Sequence, residues 1–236
     1  MSIQTELTRL TNAKAAIQTA IEGKGVTVPD GTLLDGMAAL IESIEAGGGC
    51  GETTEPYIEE VIDGNGDLTN ATLHGHTIIR NYAFYNCSEL ALTSLPSGIT
   101  SIGSYAFAYC SKLALTSLPS GITSIESNAF DNCSELALTS LPSGLTSIGT
   151  QAFYNCSKLA LTSLPSGITS IGDSAFNRCL GLTSLTFKGT PKSISSSAFS
   201  GCTNLITINV PWARGAVANA PWGAKNATIH YNYTGA

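Results

Sequence analysis

A unit of 23 residues recurs from Ile79 to about Pro211 without insertion or deletion, and this period constrains the chain more than any other feature. Each copy carries Ala-Phe, with a cysteine three residues after the phenylalanine. The columns are Phe84, Phe107, Phe130, Phe153, Phe176 and Phe199, and Cys87, Cys110, Cys133, Cys156, Cys179 and Cys202. A unit this short cannot bury an apolar face by itself and must bury it against its neighbours, so the sequence specifies a stack of coils. Four copies, at 87–102, 110–125, 133–148 and 156–171, read CS(E/K)LALTSLPSG(I/L)TSI. In the first of them Leu90, Leu92, Leu95, Ile99 and Ile102 form the inward set. Pro96 and Gly98 mark a corner between two short strands, and the Ala-Phe segment is a helical or irregular turn on a third side. Six cysteines in one register are expected as a column of buried free thiols, because parallel side chains suit a disulfide poorly.

Residues that vary between copies gather beside the Ala-Phe. Tyr82, Tyr105, Asn128 and Gln151 lie two before the phenylalanine, Tyr85, Asp131 and Tyr154 follow it directly, and Tyr109 lies two after it. Positions the stack does not dictate are where a binding surface is expected, and these eight are the candidates. A second column, Glu89, Lys112, Glu135 and Lys158, alternates in sign and sets opposite charges on adjacent coils.

The net charge of −6 is uneven: residues 1–62 hold ten acids and three bases, the remainder seven acids and eight bases. A nearly neutral array without a basic stripe neutralises few phosphates, which argues against a nucleic-acid partner. No run approaches the roughly 18 apolar residues of a membrane span. Met1 to Lys24 shows no basic leader followed by an unbroken apolar run, so no signal peptide is expected.

Ahead of the array, residues 2–22 have helical spacing, with Ile3, Leu7, Leu10, Ile17 and Ile21 on one seam interrupted by Lys14. A second helix carries Leu33, Met37, Leu40 and Ile44, with Asp30 or Thr32 as its cap. Residues 1–45 are therefore expected as a helical hairpin, small enough to need a docking partner or a second copy. A hairpin folded back on its own array is the alternative. A Gly-rich linker follows at 46–55, and Cys50 within it is expected as an exposed thiol. Strand signals flank Asp63 to Asp67 and suggest a β-hairpin cap at 56–79. Repeats fill 80–210. A C-terminal cap at 211–236 includes a strand at 227–233 and both tryptophans, Trp212 and Trp222, which are expected to seal the last coil or, alternatively, to stack on carbohydrate.

Candidate chemistry is sparse. His74 and His76 alternate onto one face of a strand but lack a third ligand at matching spacing, and His230 stands apart. The 63–67 turn imitates the start of a calcium loop, yet Leu68 and His74 occupy the places of its Gly and Glu. No catalytic set, metal site or cofactor site emerges, and the expectation is a protein that is not an enzyme.

Ala106-Phe107-Ala108-Tyr109-Cys110-Ser111-Lys112-Leu113, with Leu118-Pro119 and Ile122 to Ile125, resembles the BspA-like class of bacterial leucine-rich repeats. The likeness spans about residues 56–211. It implies a mainly β leucine-rich-repeat solenoid of 23-residue coils, between the N-terminal helical hairpin and the C-terminal cap, and the family's association with adhesion and with protein or glycan binding on bacterial surfaces. One departure is visible: Thr93, Thr116, Thr139 and Thr162 stand two before the leucine of Leu-Pro, where the family has an apolar residue, and Leu comes one place earlier. Residues 1–45, most clearly 17–44, look like N-terminal segments of virion proteins from phages of Gram-positive bacteria, and the tail at 210–235 looks similar to ends found on such proteins. This second resemblance implies a non-enzymatic virion protein made in the host cytoplasm, a tail fibre, neck appendage or capsid decoration. It would be held as a homo-oligomer to other virion proteins through residues 1–45, its repeats binding a host-surface protein or glycan. A bacterial adhesin or protein-binding scaffold is the alternative.

Overall fold

The computed structural model describes residues 77–235, and the expectations for the helical hairpin, the linker, Cys50, His74, His76 and the 63–67 turn lie outside them. The ladder begins at β1 (Ile78–Ile79) and continues through β2 (Ser101–Ile102), β3 (Ser124–Ile125), β4 (Ser147–Ile148), β6 (Ser170–Ile171) and β8 (Ser193–Ile194). These six strands form one parallel sheet, and each strand pairs with the next at a step of 23 residues, Ile102 to Ile125 to Ile148 to Ile171 to Ile194. The isoleucine of every pair is buried while the residue before it is partly or fully exposed. Shifting one strand by a residue would turn its isoleucine into solvent, so burial locks the register.

A second parallel sheet forms from β5 (Ser163–Leu164), β7 (Ser184–Phe187), β9 (Thr207–Asn209) and β10 (Thr228–His230). It develops fully only in the later coils, and the threonine departure explains why. Leu185 and Ile208 stand two before Phe187 and Val210, so buried and outward residues alternate as a strand requires. In the four near-identical copies Thr and Ser face outward in succession, as at Thr93 and Ser94, and the alternation breaks. Leu92, Leu115, Leu138 and Leu161 supply the buried contact instead. Single bonds such as Ala114 N–H to Leu92 O (3.0 Å) still tie these coils together. The final step, β9 to β10, shortens to 21 residues, from Thr207 to Thr228.

The core is a set of stacked columns. Phe107, Phe130, Phe153, Phe176 and Phe199 are wholly buried, and successive rings from Phe84 onward lie within 9° of parallel at centroid separations of 5.1–5.5 Å. Each offset-stacked pair adds about 0.5–1.5 kcal/mol beyond burial. The cysteine column serves the backbone. Cys110 Sγ donates to Phe84 O at 2.9 Å, and Cys133, Cys156, Cys179 and Cys202 repeat the bond 26 residues back along the chain, at 2.9–3.0 Å. Those five thiols are free, as the column predicts. Burial pushes the Cys110 and Cys202 thiols up to about 12 and holds those of Cys133, Cys156 and Cys179 well above the ordinary thiol value, so none is a ready nucleophile. Cys87 corrects the expectation of six equal thiols: it is disulfide-bonded, to a partner outside the described residues.

At the far end Trp212 and Trp222 are buried, in contact with each other and with Phe187. Rings enclosed this way leave no face for a carbohydrate. The sign-alternating column resolves into two ion pairs, Lys112 with Glu89 and Lys158 with Glu135. All four side chains are well exposed, so each pair contributes at most about 1 kcal/mol.

Candidate binding surface

The Ala-Phe turn is neither helix nor strand, yet it is as regular as both. In the first coil three alternate N–H groups reach to the next, Tyr82 to Ser104 O, Phe84 to Ala106 O and Asn86 to Ala108 O, at 2.7–3.0 Å, and the pattern repeats through the coil of Phe153; in the coil after it Ser174 N–H turns to the Ser197 hydroxyl at 3.2 Å. To aim these donors along the axis, the residues on either side of the phenylalanine adopt left-handed backbone. One such column is Tyr82, Tyr105, Asn128, Gln151 and Ser174, with φ between 52° and 61°. The other is Asn86, Tyr109, Asn132, Asn155 and Arg178, with φ between 55° and 65°. Variation at these sites is therefore not freedom from the stack, as the sequence suggests. The stack dictates their backbone and leaves open only the side chain.

Asparagine tolerates this conformation best among residues with a Cβ, and it occupies Asn86, Asn128, Asn132 and Asn155. Tyrosine has no such advantage, yet it fills Tyr82, Tyr105 and Tyr109. Tyr109→Asn is expected to raise unfolding free energy by about 0.5–1 kcal/mol, read from urea denaturation, because the replacement relieves the left-handed penalty at an exposed site.

All eight candidates fall on this side of the coils. Tyr82 and Tyr105 stack at 4.9 Å and 3°, and Tyr85 stands edge-on to Tyr82 (5.7 Å), Tyr105 (6.4 Å) and Tyr109 (5.6 Å). One aromatic cluster thus spans the first two coils. Beyond it Asn128 Nδ2 donates to Gln151 Oε1 (3.2 Å) and Asp131 Oδ2 (3.4 Å), and Asn132 Nδ2 donates to Asp131 Oδ1 (2.7 Å). Asn155 Nδ2 continues the chain to Asn132 Oδ1 at 2.8 Å. Tyr154 lies under the Arg178 guanidinium at 6.0 Å. Asn128 and Asp131 are each only 6% exposed, so they underlie the surface more than they form it. Asn132 and Arg178 complete the cluster. Sequence reasoning missed them, although both sit in the second left-handed column that Tyr109 shares.

Electrostatics ties the halves together. Burial raises the Asp131 carboxyl above its ordinary range, and the Asn128 and Asn132 amides only partly offset this. The Asp131 charge is in turn the leading cause that holds the Tyr109 phenol above its usual value, with burial and the phenols of Tyr85, Tyr105 and Tyr154 adding to it. A raised carboxyl pKa means that the fold favours the protonated acid. Its stabilising share is present at low pH and is lost as pH rises through the folded-state value. Asp131→Asn, matching Asn177 two coils on, is thus expected to melt at or above the native chain at neutral pH, with the difference shrinking toward acid. Thermal scans from pH 3 to 8 check this.

Elsewhere, a cavity of about 560 Å3 lies among Arg214, Val217, Pro221, Thr228, Ile229 and Tyr231, with the Arg214 guanidinium 5.8 Å over the Tyr231 ring. Its lining holds no carboxylate, histidine or cysteine to pair as acid and base. Among the described residues there is no group of three or more His, Cys, Asp or Glu placed to hold a metal, and no helix long and apolar enough to cross a membrane.

Parallel rungs at a 23-residue step, an inward leucine and isoleucine set and an asparagine- and cysteine-bonded turn define a leucine-rich-repeat solenoid. Residues 68–211 match the model of the BspA type leucine rich repeat region in 6 copies, and the chain belongs to that family. The match indicates a repeat scaffold and no enzyme family. Among solved structures the chain is similar to a leucine-rich repeat protein from Bacteroides ovatus ATCC 8483, at 34% identity over 54% of this chain and 33% of that one, with a TM-score of 0.47. It is also similar to the T. pallidum leucine rich repeat protein, at 33% identity over 57% and 65% of the two chains and a TM-score of 0.49. A leucine rich cell surface protein from Faecalibacterium prausnitzii A2-165 matches at 21% identity over 61% and 58%, with a TM-score of 0.38. This chain spans less than two thirds of each of them. No curated protein matches it.

Proposed function

We propose that the chain is a non-enzymatic binding protein of a phage particle: residues 1–45 fix it to other virion proteins as a homo-oligomer, and the solenoid projects outward to meet a protein or glycan on the host surface. The observation that carries the binding half is the tyrosine cluster, aromatic side chains set on a hydrogen-bonded ladder in a backbone conformation that favours asparagine. Rigid aromatic groups lose little freedom on association, which is why they recur in binding surfaces. The attachment half rests on the resemblance of residues 17–44 and 210–235 to phage virion proteins, with the Gly-rich linker as the joint and 211–236 as the end cap. Neither nucleic acid nor insertion into a membrane belongs to this reading.

The full chain, labelled and applied to Gram-positive host cells, is expected to bind them, to sediment as an oligomer and to be present in purified particles. A monomer absent from particles would overturn the virion assignment. The second reading, a bacterial adhesin or protein-binding scaffold, is favoured by the family's surface association. It predicts capture of a host protein that survives removal of residues 1–45.

A further inference from the structure

We propose that the tyrosine cluster and Asp131 form a docking site for a basic side chain, arginine by preference, presented by a protein partner. This rests on the reading of the Ala-Phe side as the ligand-facing side and names the chemistry that it would take.

Three observations converge on it. First, Tyr82, Tyr105 and Tyr109 hold φ of 61°, 58° and 65°, at sites that other coils give to Asn86, Asn128, Asn132 and Asn155. Tyrosine at three of these places runs against local preference, and unfavourable backbone choices concentrate where a chain is used. Second, Asp131 is a carboxylate with no cation. Its oxygens accept from the Asn128 and Asn132 amides, and neither ion pair among the described residues includes it. Each oxygen retains a lone pair, and a largely buried charge beneath an aromatic rim attracts a cation more strongly than an exposed one does. Third, the same side of the solenoid already holds one such contact: Arg178 lies over Tyr154 at 6.0 Å. Tyr85 and Tyr109 hold the equivalent positions three coils earlier and offer a similar surface.

Geometry separates this from a sugar platform. Tyr82 and Tyr105 spend one face each on the other, and Tyr85 meets Tyr109 at 80°, so the cluster presents edges and a corner in place of one flat shelf for a pyranose. Asn128 and Asn132, the amides beside Asp131, already donate to it, which leaves few donors for sugar hydroxyls. A guanidinium is planar, stacks on a phenol ring and bonds a carboxylate through its N–H groups. Lysine offers only a point charge.

The test titrates acetyl-Gly-Arg-Gly-amide into the full chain at low ionic strength, followed by two-dimensional NMR, beside the same peptide carrying neutral citrulline. Arginine is expected to bind about tenfold more tightly than citrulline and to shift signals of Tyr85, Tyr109 and their neighbours. Asp131→Asn should erase most of that preference. Asp173→Asn, which alters an exposed carboxylate held by Ser195 and Ser197, should leave it intact. Equal binding of the two peptides, an unchanged preference in Asp131→Asn, or chitohexaose shifting these tyrosines where the arginine peptide does not, would each overturn the proposal. If the full chain still binds host cells in that case, the charge chemistry fails and the binding function stands. If it binds neither cells nor peptide, both fall.

Discussion

Phe153→Ala is expected to cost about 3–5 kcal/mol, the loss typical of emptying a large buried aromatic site. Phe153 is wholly buried and stacks on both sides, at 5.5 Å from Phe130 and 5.4 Å from Phe176. The cavity cannot close by local collapse, because the flanking rings are pinned by their own ladders: Phe130 N–H donates to Ala152 O and Phe176 N–H to Ala198 O, both at 2.8 Å. The Phe153 carbonyl also accepts the Cys179 thiol at 3.0 Å, so a shift of the backbone would strip a second column. A solenoid is stabilised by nearest-neighbour interfaces, and a fault in its middle weakens the coupling between two short half-arrays. Against a total stability of about 5–15 kcal/mol this is a large fraction. Urea titration should show a lower midpoint. Hydrogen exchange should quicken first in the amides of 128–156 and 170–182. A loss under 1 kcal/mol would mean that the phenylalanine column is not the mechanical core.

The stack itself was legible because a strict period forces equivalent residues into register, and register is all that parallel rungs need. Phe84 to Phe199, Cys110 to Cys202 and Ile79 to Ile194 occupy the columns that the spacing requires. Strand extent was less legible. Thr93 and its equivalents break the buried-outward alternation without disturbing the period, so the second sheet matures only where Leu185 and Ile208 restore it. The surface candidates were found for an incomplete reason. Copy-to-copy variation located Tyr82, Tyr105 and Tyr109, but no sequence signal distinguishes a residue free of backbone demands from one held at φ near 60°, since that demand arises from hydrogen bonds between coils. Asn128 and Asp131, variable in sequence, are buried, with side chains that bond each other, Gln151 and Asn132. Cys87 shows the limit of periodic reasoning in another way: it shares the column of five free thiols, yet it is disulfide-bonded, and a shared register carries no signal of that difference.

Trp222→Ala is expected to cost a similar 3–5 kcal/mol, with a different spatial signature. Trp222 is wholly buried against Trp212 (6.3 Å) and Phe187 (5.9 Å), and its Nε1 donates to Ala218 O at 2.7 Å. Its carbonyl accepts Phe199 N–H at 2.8 Å, the bond that an alanine of the following coil supplies everywhere else in the phenylalanine ladder. Truncation keeps that carbonyl but removes the packing that holds it in place. Trp212 is itself buried against Phe187 at 5.3 Å and would leave that contact to fill the space. The damage should therefore start at one end of the array and decay inward, coil by coil, because each coil touches only its neighbours. Exchange in Trp222→Ala should rise steeply at Phe199, Cys202 and 207–210, moderately at 176–187, and little at 82–109, leaving the tyrosine cluster ordered. Arginine-peptide binding would then persist in Trp222→Ala while global stability falls, whereas Phe153→Ala, two coils beyond the cluster, would unsettle Asp131 through the Asn128–Gln151 bond and weaken both. Uniform loss of protection along the whole chain in Trp222→Ala would show instead that the array unfolds as one cooperative block, with no end-to-centre gradient.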